Sequence, residues 1–153
     1  MRFIISLILL CLNLVMLQAQ QDSAVYSAGD LPTEYQAFIS LSDESFACTD
    51  TLRVNITPGH YVTSVDVYYQ IEALPGGNGW VSDQGSYLEI TNTSLKEPAV
   101  SFGDPDWDSA GVFSYTRTGL SFANGVYPSG ELDFFLHAFR GFGQFPVCNA
   151  AVQ

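Results

Sequence analysis

Three carboxylates, Asp104, Asp106 and Asp108, stand at alternate positions in Gly103-Asp104-Pro105-Asp106-Trp107-Asp108-Ser109-Ala110-Gly111, between two strand-like runs. Calcium takes about six to eight oxygen ligands, and alternating Asp in a loop is one way to supply three of them. The loop is not an EF-hand: its glycine comes late, the closing Glu is missing and no helix flanks it. The competing reading is a turn in which each Asp bonds its own backbone. Calcium is the one cofactor for which the chain offers a candidate site.

Aromatic side chains make the second candidate. Trp80 follows the turn Leu74-Pro75-Gly76-Gly77-Asn78-Gly79, Trp107 sits in the Asp loop, and Tyr87 and Tyr127 lie close to glycines. Rings in loops stack on the apolar faces of sugars or anchor protein interfaces. Trp80 and Trp107 are equally suited to capping a core at one end of the domain. Asp66, Tyr68, Gln70 and Glu72 form a strip of tyrosine and acid on one strand face. It suits a partner, or simply water.

Catalysis finds little support. Neither a Gly-x-Ser-x-Gly elbow nor HExxH, a Walker loop or GxGxxG is present. His60 falls in the turn Thr57-Pro58-Gly59-His60. His137 lies among Phe134, Phe135, Leu136 and Phe139, where a buried neutral imidazole is expected rather than a general base. Glu131 and Asp133 share a strand face, as a glycosidase pair would, but so do ordinary solvated acids. The expectation is a protein that is not an enzyme.

Residues 1–19 carry one basic residue, Arg2, then a short apolar run, and end on Ala19, the parts of a secretory signal peptide. The run is short for a membrane span. Its removal would leave 134 of the 153 residues, enough for one domain. Arg2 would go with it, leaving Arg53, Lys96, Arg117 and Arg140 against 16 acids, a net charge of −12. So acidic a chain has little with which to displace counterions from nucleic acid or to hold an anionic membrane surface. Cys11 falls in the expected signal peptide. Cys48 and Cys148 remain, and an exported chain with two cysteines is expected to join them. That link would close a loop of about 100 residues, worth about 4–5 kcal/mol by chain entropy. Asn55-Ile56-Thr57 and Asn92-Thr93-Ser94 are glycosylation sequons that matter only in a host that uses them.

The remaining chain alternates with period two. Tyr35, Ala37, Ile39 and Leu41 form one such set; Leu52, Val54 and Ile56 a second; Val65, Val67, Tyr69 and Ile71 a third. Leu132, Phe134, Leu136 and Ala138 form a fourth, with Phe135 and Phe139 making its other face apolar too. That strand is central, or a loop covers its outside. Further strands are expected at 80–82, 86–91, 99–102, 111–118 and 119–123, the last two joined near Thr118-Gly119. The fold class expected is all-β: a single antiparallel two-sheet sandwich, immunoglobulin-like, with one disulfide. The domain plan is a signal peptide at 1–19, a flexible leader at 20–33 and the sandwich at 34–153. The function expected is a secreted, extracellular or periplasmic, non-enzymatic module for binding or cell adhesion, with protein or glycan as partner. One alternative is a carbohydrate-binding module, with calcium at the Asp loop. Another is a structural subunit that assembles by strand exchange through its N-terminal arm.

Overall fold

The computed structural model describes residues 20–44, 48, 50–75, 80–142 and, as backbone, 148–152. The expected signal peptide with Cys11, the glycines of the turn after Pro75, and the side chain of Cys148 lie outside the described residues. Among these residues the chain forms β1 (Leu31–Tyr35), β2 (Thr51–Asn55), β3 (Val65–Ala73), β4 (Gln84–Ile90), β5 (Ser101–Phe102), β6 (Gly111–Leu120), β7 (Glu131–Arg140) and β8 (Cys148–Val152). A single 3-10 turn, Val81–Asp83, precedes β4. No described helix is long and apolar enough to cross a membrane.

Pairing runs β5-β4-β7-β1-β8-β3-β6, with β2 also on β7. This one hydrogen-bonded network folds into two packed layers, because β1 belongs to both. Its Glu34 and Tyr35 run parallel to Phe139 and Arg140 of β7, while Leu31, Pro32 and Glu34 pair antiparallel with β8. One layer is β5-β4-β7-β2 and the other is β6-β3-β8. The all-β, two-sheet architecture is as expected, with one parallel pair inside it. β7, rather than β2, lies beside β4.

The core lies where the alternation puts it. Leu88 and Ile90 of β4 meet Leu132 and Phe134 of β7 across Val54, Val65 and Val67. Nearby, Ile71, Tyr115 and Ala138 pack together with Tyr69 and Phe113. Each of the larger aliphatic and aromatic side chains contributes about 1.5–3 kcal/mol by leaving water. The second face of β7 is apolar too, and it is covered twice over. On that face His137 stands opposite Tyr87, and Phe139 opposite Gly85. The 36–44 loop then closes over them: Tyr87 donates its hydroxyl hydrogen to the Asp43 carbonyl, Lys96 donates to the Leu41 carbonyl, and Ile39 lies against Gly85.

Two expected strands are different elements. The run Tyr35-Ala37-Ile39-Leu41 is strand only to Tyr35, because its apolar side chains leave the ladder to make that cover. Residues 81–83 form the 3-10 turn rather than a strand. The expected pair 111–118 and 119–123 is one strand ending at Leu120. Gly119, at φ +68°, takes up a bulge there, and Asp66 Oδ1 accepts its N–H at 2.7 Å. Thr33 is fully buried in β1, Asp22 accepts the Thr57 N–H at 3.1 Å just past β2, and Tyr26 donates to Asp50 at 2.9 Å just before it.

On the side away from β1, the layers are joined by a polar clasp. Arg117 Nε of β6 meets Glu97 Oε1 at 2.9 Å, and the second Glu97 oxygen accepts the Leu88 N–H at 2.6 Å. Arg117 also donates to the Tyr69 hydroxyl, which bonds Ser86 of β4. Burial pushes the Tyr69 phenol up to about 12. Removing one member of a buried pair leaves the other charge stranded. Glu97→Gln is expected to cost about 3 kcal/mol in urea unfolding, and Glu97→Gln/Arg117→Met to recover most of it. A single-variant cost below about 1 kcal/mol would show that the clasp does not hold the layers.

Candidate functional site

The two tryptophans come together at one end of the sandwich. Trp80 stands just before the 3-10 turn, and its N–H and carbonyl both bond Asp83, at 3.3 and 3.1 Å. The Asp loop is laced onto this turn. Val81 N–H bonds the Ser109 carbonyl at 3.1 Å, Ser82 N–H the Trp107 carbonyl at 3.2 Å, and Ser82 Oγ donates to Asp108 Oδ1 at 2.6 Å. Trp107 donates its indole N–H to Ser109 Oγ at 2.7 Å. Its ring lies on Gly111, where a Cβ would come within 2.5 Å of the indole, so only glycine leaves room for it. Trp80 stacks on Phe142, with centroids 6.0 Å apart. The indoles are 44% and 37% exposed for Trp80 and Trp107, so each is seated in the protein and still presents a face.

The carboxylates around them serve the loop. Asp104 Oδ1 accepts the Asp106 N–H at 3.0 Å, the Asx-turn arrangement, and Asp108 is taken by Ser82. Among the described residues no group of three His, Cys, Asp or Glu side chains is gathered as a metal would need.

The other two ring candidates lie elsewhere. Tyr87 is wholly buried, 0% exposed, at the middle of β4, which corrects its expected place at the surface. It stacks on His137 at 4.6 Å under the 36–44 loop. A nearby glycine suggested a turn, but Gly85 is a strand residue that makes space for Ile39 and Val100. Tyr127 is 56% exposed and sits at the opposite end of the sandwich, 4.8 Å from Tyr61. Sequence reasoning passed over Tyr61, whose place beside Gly59 and His60 was the available signal. In the Tyr68 strip Asp66, Tyr68 and Gln70 are exposed and Glu72 half-buried, with Gln70 donating to Ser114 at 3.1 Å.

The acid–base candidates are engaged within the fold. Glu131 and Asp133 share a face and hold Arg53 between them. Arg53 donates to both Asp133 oxygens at 2.8 Å, which keeps that carboxyl below its ordinary range, and reaches Glu131 at 3.3 Å. His137 is 0% exposed, its Nε2 2.9 Å from Glu89 Oε2. Burial pulls its pKa below the usual 6.5, although Glu89 and Glu44 pull the other way and Lys96 reinforces the burial. The unfolded chain thus takes up the proton that the folded chain refuses, so the stability from His137 is present above about pH 6.5 and falls as pH drops through it. Urea unfolding at a series of pH values between about 7.5 and 5.5 is expected to show a decline that His137→Gln flattens. An unchanged slope in the variant would contradict this.

No family model, no curated protein and no solved structure matches this chain.

Proposed function

We propose that the chain is an exported, non-catalytic sandwich module that binds a saccharide at the end carrying Trp80 and Trp107. The observation that carries this reading is the lacing of the 80–83 turn to the 104–109 loop, which presents two half-exposed indoles on one rigid mount. Stacking on a sugar face gains from rings that are ordered beforehand, since little entropy is lost on binding. Asp83, Asp104, Asp106 and Asp108 make the surroundings acidic. Neutral or amine-bearing sugars suit them, and sulfated or uronic ones are repelled. Calcium would have to draw Asp108 from Ser82 and Asp104 from its Asx turn, so the binding we propose needs none.

Export is part of the same reading, supported by the composition of residues 1–19. So is a Cys48–Cys148 disulfide, supported by the burial of Cys48 and by the backbone of Cys148 lying opposite Glu34 on β1.

A glycan array with the mature chain is expected to pick out neutral or amino sugars. Trp107→Ala or Trp80→Ala should weaken the best ligand about tenfold or more, and chelator should leave it unchanged. An array without signal, or with signal indifferent to both substitutions, rejects the reading. Non-reducing peptide mapping is expected to recover one peptide pair containing Cys48 and Cys148. A free thiol at either position would remove the disulfide from it.

A further inference from the structure

Among the described residues, the two layers end on three strand edges: β5, β2 and β6. Two of them are guarded. β5 is two residues long, too short to template a partner. β2 is five residues long and is bracketed by the N-terminal segment, which bonds Thr57 just past it through Asp22 and Asp50 just before it through Tyr26. β6 is different. It runs for ten residues and pairs with β3 from Gly111 to Leu120, while no other described segment pairs with its far side.

A long edge presents a row of backbone N–H and C=O groups, and folded proteins usually blunt such rows with Lys, Pro, acids or bulges. β6 has no Lys, Pro, Asp or Glu, and its bulge lies at the far end beside Gly119. Its one charge, Arg117, points between the layers and is neutralised by Glu97. The outward side chains Val112, Ser114, Thr116 and Thr118 are exposed and uncharged.

We propose that β6 pairs edge to edge and antiparallel with β6 of a second copy, joining two sheets across a two-fold axis. An antiparallel strand is its own complement, so this contact closes after two copies. Charge confines a contact between copies to this edge. The chain carries a net charge of −11, so two copies repel over most of their surfaces. β6 is the long edge from which carboxylates are missing, and its outward Thr and Ser side chains pair well across strands. In this dimer the Trp80/Trp107 end of one copy lies beside the Tyr61/Tyr127 end of the other. The two tryptophan ends point in opposite directions and can engage two ligands at once. The dimer does not depend on the saccharide reading.

Sedimentation equilibrium of the full chain between about 1 and 100 µM tests it. The expected result is a reversible dimer that tightens with added salt as the acidic surfaces are screened. Ser114→Lys/Thr116→Lys, at exposed positions, should keep the melting temperature and weaken the dimer about tenfold or more. In the unaltered chain, amide hydrogen exchange along β6 should slow as concentration rises, a readout that needs no substitution. A monomer throughout, or a dimer indifferent to the lysines, overturns the proposal. So does a dimer lost only when residues 20–29 are deleted, which would indicate strand exchange.

Discussion

From Phe134 onward β7 has no face that can be left in water. Leu132, Phe134, Leu136 and Ala138 point one way, and Phe135, His137 and Phe139 the other. A strand of this kind must be covered on both sides, and the fold can be followed from that demand. The inner cover is the second layer, through Val67, Tyr69 and Ile71. The outer cover is the 36–44 loop, brought down by bonds to Tyr87 and Lys96. With both in place, β7 becomes the strand to which β4, β2 and β1 all pair. The same demand disposes of His137. An imidazole under that loop keeps its neutral form, because solvation of the charge is lost before Glu89 can compensate.

So large a covered interior leaves a chain of few basic residues with little choice about where to put them. Arg53 bridges two acids on the exposed face of β2 and β7. Arg117 clasps the layers on one side, and Arg140 donates to the Thr33 carbonyl on the other. Lys96 holds down the outer loop. Each cation in the described residues is thus spent inside the architecture, and the solvent sees mainly acid. That distribution disfavours anionic partners more strongly than the net charge alone suggests, because no cationic patch is left to receive one.

The strands of highest alternation could be read directly. Leu52-Val54, Val65-Val67-Tyr69-Ile71 and Leu132-Phe134-Leu136-Ala138 are strands with the expected face inward, since period two survives wherever one face is wet. The two-sided character of β7 could be read as well, and both of its suggested explanations hold at once. Misreadings came where a local signal served a tertiary end. Tyr35, Ala37, Ile39 and Leu41 alternate like a strand, yet after Tyr35 they supply the lid of another strand. Gly119 resembles a turn but takes up a bulge, and Gly85 marks a close approach instead of a loop. None of these can be told from sequence, because each is decided by neighbours that are distant along the chain, Asp66 for Gly119 and Ile39 and Val100 for Gly85.

What the sequence places together at 103–111, the structure divides by role. The carboxylates do the mechanical work: one turns the loop, another ties it to Ser82. The indoles are left over from that work, half-exposed and unable to swing, since one rests on Gly111 and the other on Phe142. Rigidity of this kind is an expense if the rings only fill space, because a core cap needs no such bracing and is better fully buried. It is useful if they meet a ligand, where ordering done during folding need not be repeated on binding. In the saccharide reading we propose, the acids of the loop therefore act chiefly through the tryptophans beside them, and through the charge they set around them.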